Sequence, residues 1–268
     1  MVDGTFLRNL AGMPALIAHR GASHDAPENT IAAFTRAWQE GADGIEGDFR
    51  LTEDGEIVCL HDVTTRRTCD RRLNVATSSL RELRTLDAGT WKGAQWKGER
   101  IPTLSEVLAT VPEGKKIFME LKSGLDILVP LKKIVESSGL AATQMAIISF
   151  DARVVMTAKH MLPLVKAFLI VDFKHVRARK TWDSPVRDIL SLLKLTGADG
   201  IDGKACAAVD HFLVEAIREA RQELHLWTVN TLAEAVRFCN LGVDSLTTNR
   251  PGWLRSELCR WCMEGRRR

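Results

Sequence analysis

The chain has 268 residues, of which 45% are hydrophobic and 26% are charged, and its formal net charge is +3. This composition is typical of a globular protein and excludes disordered, collagen-like and fibrous chains. The length allows two small domains or one α/β barrel of roughly 250 residues. The most visible basic run, Arg266 to Arg268, is interpreted as a solvated tail rather than a nucleic-acid site.

Membrane, secretory and disulfide signals are weak. No segment approaches the roughly 18 consecutive apolar residues of a membrane span, so none is predicted. Asp3 precedes the first basic residue, Arg8, which is not a secretory pattern. The 6 cysteines lack the spacing of a disulfide framework, so we expect reduced thiols in a cytoplasmic protein. Cys259 and Cys262 form a CxxC pair, which is interpreted as part of a terminal helix rather than a metal or redox site.

Short β-type runs that end in polar residues alternate with helical patterns along almost the whole chain. The predicted strands are 15–19, 44–49, 57–61, 117–122, 146–149, 165–171, 200–202, 224–229 and 244–248. The predicted helices are 30–40, 103–110, 127–137, 152–160, 185–195, 210–221, 232–239 and 252–261. Repeated βα units require parallel pairing, and so many units in about 250 residues favour closure into a (β/α)8 barrel. The candidate strands exceed the eight of a closed barrel by one.

Residues 63–100 interrupt the alternation with a segment rich in Arg, Thr, Ser and Gly, which is interpreted as an insertion after the second strand region. Such a segment, following an early barrel strand, would lie over the barrel mouth, where barrel enzymes form their substrate pockets. Its two tryptophans, Trp91 and Trp96, either line a pocket or pack the insertion onto the barrel.

Polar residues concentrate where the predicted strands end. His19 and Arg20 follow the first strand, and Glu28 and Asn29 precede the first helix. Helix capping is the alternative role for Glu28 and Asn29. His61 ends the strand 57–61, and two histidines at strand ends beside carboxylates favour an acid and a base.

A pair of carboxylates occupies one face of the second strand. Glu46 and Asp48 are two residues apart, so both side chains point the same way and would repel each other unless a cation lay between them. The alternative is a solvated pair on an edge strand. Glu120 at a later strand end would complete an oxygen site for Mg²⁺ or Ca²⁺. Arg20 and Lys122 add fixed positive charge, which suits an anionic phosphate.

Ten short motifs follow one another along the chain. They are HRG at 19–21, PENT at 27–30, DGIEGDFRLTEDG at 43–55, HD at 61–62, LDAG at 86–89, IPTL at 101–104, MELK at 119–122, WTVN at 227–230, GVD at 242–244 and TNRP at 248–251. Their order resembles the glycerophosphodiester phosphodiesterase family, in its bacterial cytosolic type, over nearly the whole chain. One departure is Gly47, where the family usually carries an aliphatic residue, and it affects only local packing.

The resemblance implies the fold and the site together. The fold would be a TIM (β/α)8 barrel, a single domain over residues 1–268 that carries the insertion at 63–100, with strand 57–61 as an extension beside the second strand. The site residues implied by the motifs are the catalytic pair His19 and His61, the metal ligands Glu46, Asp48 and Glu120, the phosphate contacts Arg20 and Lys122, the supporting residue Glu28, and Trp227 as a wall for the glycerol or alcohol group.

The expected activity is hydrolysis of a glycerophosphodiester to sn-glycerol 3-phosphate and an alcohol, with a divalent metal ion, Mg²⁺ or Ca²⁺, as cofactor. The alternative is a lysophospholipase D or sphingomyelinase D-like activity on lipids. Lys92 and Lys97 interrupt the surface around the insertion tryptophans, which favours the soluble substrate. A non-catalytic phosphate-binding barrel would not need both histidines and all three carboxylates. A nucleic-acid partner is not expected, because the basic tail lacks interleaved aromatic residues.

Overall fold

The structure is a computed structural model, and it describes residues 13–173 and 185–265. The strands in these ranges are β1 (Ala15–His19), β2 (Gly44–Leu51), β3 (Ile57–Cys59), β4 (Lys116–Leu121), β5 (Met145–Ser149), β6 (Lys166–Val171), β7 (Gly200–Lys204), β8 (Glu223–Trp227) and β9 (Ser245–Thr248). The signals interpreted at Asp3, Arg8 and the Arg266 to Arg268 tail lie outside the described residues.

Eight of these strands close into a parallel barrel. Around the barrel the order is β1, β2, β4, β5, β6, β7, β8 and β9, and β9 pairs with β1 to close it. β3 instead pairs antiparallel with the end of β2. The predicted TIM barrel is therefore confirmed, and the surplus candidate strand is the extension beside the second strand. β3 ends at Cys59, so His61 lies two residues beyond the strand rather than at its end as predicted.

Helices follow the barrel strands. They are α1 (Ile31–Gln39), α2 (Leu80–Leu83), α3 (Leu104–Leu108), α4 (Leu128–Ser137), α5 (Ala152–Met161), α6 (Pro185–Thr196), α7 (His211–Glu219), α8 (Leu232–Leu241) and α9 (Pro251–Gly265). Single 3₁₀ turns occupy Thr65–Arg67, Val75–Thr77, Ala94–Trp96, Leu125–Ile127 and Ala142–Gln144. Thr30, Asp151 and Asp210 accept hydrogen bonds from first-turn N–H groups and so start α1, α5 and α7.

The main core lies between the barrel and its helices, and a second core fills the barrel interior. Phe34 and Phe238 bury the inner faces of α1 and α8 against the strands. Inside the barrel, the ring of Phe168 lies 6.0 Å from that of Phe118 and 4.3 Å from that of His225, measured between centroids. These interior side chains fill the lower barrel, so a ligand site is expected at its carboxyl end.

The insertion between β3 and α3 has a small hydrophobic core of its own, which includes one residue of β3. Its buried residues include Val58, Leu60, Val75, Leu83, Leu86 and Ile101. The Trp91 indole N–H donates to the Ala88 carbonyl oxygen at 2.9 Å. A Cβ at Gly89 would overlap the Trp96 carbonyl oxygen, so the chain crosses itself closely here. The Trp91 indole therefore makes a contact inside the insertion itself.

The structure also bears on the cysteine pair and on membrane-spanning segments. Cys259 and Cys262 lie on the terminal helix α9, as predicted, and all six cysteines have free thiols. Among the residues that the structure describes, no helix has both the length and the apolar character needed to cross a membrane.

Candidate active site

A sharp turn after β1 places Arg20 at the carboxyl end of the barrel. Arg20 has a φ of 58° and Asn29 a φ of 59°, which is uncommon for residues other than glycine. Gly21 has a φ of 78°, and a Cβ there would lie 2.5 Å from the backbone of Ala33. The backbone N–H of Arg20 donates to Glu46 Oε2 at 2.9 Å. The turn is therefore anchored directly to a predicted metal ligand.

Glu46, Asp48 and Glu120 form one buried cluster. Each offers a carboxylate oxygen, and these atoms all lie within 4.8 Å of one another. Asp48 on β2 is in register with Glu120 on β4, so their side chains share the inward face. Glu46 Oε1 is buried and has no hydrogen-bond partner among the described residues. The alternative, a solvated pair on an edge strand, is excluded, because β2 pairs with β1 and β4 within the closed barrel and both side chains are buried.

The electrostatics of the cluster call for a cation. Burial, with the charges of Asp48 and Glu120, raises the pKa of Glu46 well above its ordinary value. Burial and Asp48 also raise the pKa of Glu120 to about 7, although Lys122 opposes the shift. Three close oxygen donors, one of them without a partner, fit a hard divalent cation. These three residues are therefore the ones that would hold the metal.

Two basic side chains border the same cluster. Arg20 Nε lies 3.1 Å from Asp48 Oδ2, and Lys122 Nζ lies 3.1 Å from Asp48 Oδ1 and 2.5 Å from Glu120 Oε1. Asn29 Nδ2 donates to Asp48 Oδ2 at 2.8 Å. Although burial raises the pKa of Asp48, Arg20 and Lys122 hold it well below its ordinary value. Asp48 is therefore ionised, whereas the raised pKa values of Glu46 and Glu120 favour their protonated forms when no cation is bound.

His19 is held by an amide. Its Nδ1 lies 2.7 Å from Asn249 Oδ1, and because an amide oxygen only accepts, Nδ1 carries a proton and Nε2 of the neutral ring keeps its lone pair. Burial, with the adjacent Arg20 charge, lowers the pKa of His19 to about 4, although Asp48 acts in the opposite direction. A neutral imidazole with a free Nε2 is suited to accept a proton.

His61 is held by a carboxylate instead. Its Nδ1 lies 2.6 Å from Asp62 Oδ1, and Arg67 Nε donates to Asp62 Oδ2 at 2.8 Å. Partial burial raises the pKa of Asp62, but the hydrogen bonds from Arg67 and His61 lower it to about 2. Arg50 donates to the His61 carbonyl oxygen through Nε at 2.9 Å. Both the ring and the backbone of His61 are therefore fixed.

Glu28 joins these two parts of the site. Its carboxylate lies 2.8 Å from Arg20 Nη1 and 2.7 Å from Arg67 Nη1. Burial raises the pKa of Glu28, but the hydrogen bonds from Arg67 and the charge of Arg20 lower it below its ordinary value overall. Glu28 is more than a helix cap, since the cap of α1 is Thr30.

A cavity of about 140 Å³ opens among these groups. The predicted site residues that line it are His19, Arg20, Glu46, His61, Glu120, Lys122 and Trp227. Asp48 and Glu28 are not among the lining residues, but both form ion pairs with Arg20, which is. Trp91 and Trp96 are not part of the lining of this cavity.

Four residues of the site were not predicted. Asn249 and Asp62 lie within the TNRP and HD motifs, which were recognised without a role for either side chain. Arg67 reaches Glu28 across 39 positions of sequence, so no local spacing indicates the contact. Asp202, in the middle of β7, lines the cavity, and the signal for it was a carboxylate inside a short buried strand.

Comparison with known proteins decides the family. The model described as "Glycerophosphoryl diester phosphodiesterase family" matches residues 19–253. The chain belongs to this family. A glycerophosphodiester phosphodiesterase of Caldanaerobacter subterraneus subsp. tengcongensis is 36% identical, over 88% of this chain and 94% of its own length. A "probable glycerophosphodiester phosphodiesterase 1" of Mycobacterium tuberculosis is 30% identical, over 96% and 95%. The predicted family is therefore confirmed, and its enzymes are phosphoric diester hydrolases.

Solved structures agree with the fold. A phosphodiesterase of Oleispira antarctica, solved in complex with the product sn-glycerol-3-phosphate, aligns with a TM-score of 0.81 and 26% identity, covering 92% of this chain and 98% of its own. The structure of a "putative glycerophosphoryl diester phosphodiesterase" from Silicibacter pomeroyi aligns with a TM-score of 0.84 over 96% of both chains. At 20% identity, the second match supports the fold alone.

Proposed function

We propose that the protein hydrolyses glycerophosphodiesters to sn-glycerol 3-phosphate and an alcohol. The observation that carries the proposal is a cavity at the carboxyl end of the barrel that is lined by two histidines, two basic side chains and the carboxylates Glu46 and Glu120, which cluster with the buried Asp48. Family membership supports the reaction class, and the Oleispira antarctica structure with bound product supports the glycerol phosphate half of the substrate.

The metal ligands in this proposal are Glu46, Asp48 and Glu120. All three are oxygen donors, which favours Mg²⁺ or Ca²⁺ over softer metals. When bound there, a divalent ion supplies charge stabilisation to a non-bridging phosphate oxygen. Arg20 and Lys122 line the same cavity, and they stabilise the phosphate charge that grows in the transition state.

The two histidines divide the proton transfers. His19 accepts the proton of the attacking hydroxyl group at Nε2, because its other ring nitrogen is committed to Asn249. His61, oriented by Asp62, donates a proton to the departing alkoxide. Each such role contributes about 10²- to 10⁴-fold in rate. The attacking hydroxyl belongs to water or to the substrate's own glycerol, and phosphorus NMR distinguishes the two by the presence of a cyclic phosphate.

The deciding experiment measures glycerol 3-phosphate released from glycerophosphocholine, with and without EDTA, and after Mg²⁺ or Ca²⁺ is restored. We expect activity to disappear on chelation and to return with the metal. Glu46→Gln should be inactive under all conditions, whereas Glu53→Gln, which changes an exposed carboxylate, should behave as wild type. Full activity after complete chelation would contradict the metal assignment.

Lipid diesters are the alternative substrates, and the insertion surface argues against them. The Lys92 ammonium lies 5.8 Å from the centroid of the Trp91 ring, and it donates to the Ser23 carbonyl oxygen at 2.8 Å. This holds a positive charge beside the most exposed tryptophan of the insertion instead of leaving an apolar patch for lipid. The six free thiols support a reducing compartment such as the cytoplasm.

A further inference from the structure

Asp202 has no role in the chemistry described above, yet its side chain lines the same cavity. Asp202 is in register with Ile170 on β6 and with His225 on β8, so it shares their inward face. β7 is four strands away from β2 in either direction around the barrel. Asp202 therefore lies across the cavity from Glu46 and the metal ligands.

The carboxylate of Asp202 is buried, and the ionisable side chain that acts on it is the imidazole of His225. The residue is 3% exposed, and its Oδ1 has no hydrogen-bond partner among the described residues. Lys204, the nearest basic residue along β7, is paired with Asp172 at 2.8 Å. Burying a carboxylate in this way costs free energy, and a ligand that brings a donor to Oδ1 recovers part of that cost. The position therefore favours a ligand group that donates a hydrogen bond.

The surroundings favour a hydroxyl over a cation. Trp227 is fixed above Asp202, because its indole N–H donates to the Asp202 carbonyl oxygen at 3.1 Å. The Lys204 ammonium lies 5.9 Å from the Trp227 ring centroid, and the Phe150 ring approaches the same indole at 6.1 Å. A cationic ligand group would be repelled by the Lys204 ammonium, which already lies over the Trp227 ring. A neutral hydroxyl group meets no such repulsion.

We propose that Asp202 is a specificity-determining residue, which accepts a hydrogen bond from the terminal hydroxyl of the substrate's glycerol group. The proposal rests on the proposed function, because it places the phosphate at the carboxylate cluster. From that position the glycerol hydroxyl farthest from phosphorus is the one that reaches the opposite wall. The alcohol group varies among diesters and faces the mouth, where Phe150 is 54% exposed, while the constant glycerol group occupies the enclosed part.

The assignment has a consequence for lipids. A lysophospholipid carries an acyl ester on this same terminal hydroxyl, so it has no proton to donate there. Its acyl chain would also meet a buried carboxylate. Asp202 therefore selects for free glycerol and against acylated glycerol, independently of the insertion surface.

The test compares kcat/KM for glycerophosphocholine with that for 2-hydroxypropyl phosphocholine of the same configuration. This analogue lacks only the terminal hydroxyl and keeps the one beside the phosphate ester. Wild-type enzyme should prefer glycerophosphocholine by about 10- to 100-fold, the range of a hydrogen bond to a charged group. In Asp202→Ala the preference should fall towards one, through loss of activity on glycerophosphocholine alone. Asp202→Asn keeps an acceptor oxygen and should be intermediate, and Asp126→Asn, at an exposed position, should match wild type.

The outcomes separate the possible explanations. If both Asp202 variants lose activity on the two substrates equally, the side chain is structural and the proposal is overturned. If the variants instead lose activity on glycerophosphocholine relative to glycerophosphoglycerol, Asp202 binds the cationic alcohol and the proposal is also overturned. Increased turnover of 1-acyl glycerophosphocholine by Asp202→Ala would support it. Wild-type enzyme that does not hydrolyse glycerophosphocholine at all would overturn the proposed function, and this assignment with it.

Discussion

Replacing Asp202 by Asn should stabilise the folded protein, and by more at high pH than at low pH. The two side chains have nearly the same shape, so the substitution removes the charge and leaves the packing. The wild-type carboxylate is buried without a hydrogen bond to Oδ1 in the described structure. Its ionised form is therefore the one that the fold disfavours.

The magnitude follows from the titration of this carboxyl. Burial raises the pKa of Asp202 from 3.8 to about 7, while the neighbouring His225 opposes the shift. Well below pH 3.8 both the folded and the unfolded chain are protonated at this carboxyl, and the group costs nothing. As the pH rises towards 7, the unfolded chain releases a proton that the folded chain retains, so stability falls. Above pH 7 the cost is complete, on the order of 4 kcal/mol.

Urea unfolding between pH 5 and pH 8, in buffer free of divalent ions, measures this cost. The difference in unfolding free energy between Asp202→Asn and wild type should grow by about 3 kcal/mol across that range. Comparing two proteins cancels the titration of groups that do not interact with Asp202, including the proposed metal ligands, and leaves Asp202 with its neighbour His225. Asp126→Asn should run parallel to wild type. A difference between Asp202→Asn and wild type that is the same at pH 5 and pH 8 would refute the reasoning.

Three further predictions concern the catalytic half of the cavity. Saturating Mg²⁺ or Ca²⁺ should raise the unfolding free energy of wild type, by about 2.7 kcal/mol at a hundred times Kd, and a similar rise in Glu46→Gln would contradict the ligand assignment. His19→Ala should lower kcat by about 10²- to 10⁴-fold with an unchanged urea midpoint, and a near-normal rate would remove the base assignment. Arg67→Met should lower kcat by roughly 10- to 100-fold, as loss of supporting contacts around metal sites does, because Arg67 holds both Asp62 and Glu28. Its exposed neighbour Arg66 provides the control, and equal effects of Arg66→Met and Arg67→Met would contradict a specific role.

The barrel was predictable because each βα unit carries its own signals. Apolar runs ended by polar residues mark the strands, and Thr30, Asp151 and Asp210 mark helix starts. The boundaries moved where tertiary pairing extends an element. β2 continues to Leu51 because residues after Phe49 pair with β3, and that hairpin has no periodic signal of its own.

Gly47 illustrates a packing effect that the sequence could not reveal. A Cβ at this position would lie 3.1 Å from the Phe34 ring and 3.2 Å from Cys59 Sγ. Both neighbours are buried, so an aliphatic side chain at position 47 would require the Phe34 ring and the Cys59 thiol to shift.

The residues proposed for catalysis and metal binding could be named from the sequence because His19, Glu46 and Glu120 belong to motifs in which several polar residues lie close together. Asp202 belongs to no such motif, and its importance depends on barrel closure, which alone places β7 opposite β2. The same holds for Arg67 and Glu28, whose contact depends on how the insertion folds over the barrel.

The two walls of the cavity hold negative charge in different ways, and the difference bears on what the site can bind. The cluster of Glu46, Asp48 and Glu120 is bordered by Arg20 and Lys122, so a metal ion and a phosphate together can complete its charge balance. Among the described residues, no lysine or arginine forms an ion pair with Asp202, and the imidazole beside its carboxylate is that of His225. A hydrogen-bond donor to Oδ1 would complete its contacts. A ligand with an anionic end and a hydroxyl end satisfies both walls at once. Glycerol phosphate has this arrangement, whereas inorganic phosphate satisfies only the first wall and an acylated glycerol phosphate leaves Asp202 buried without a donor.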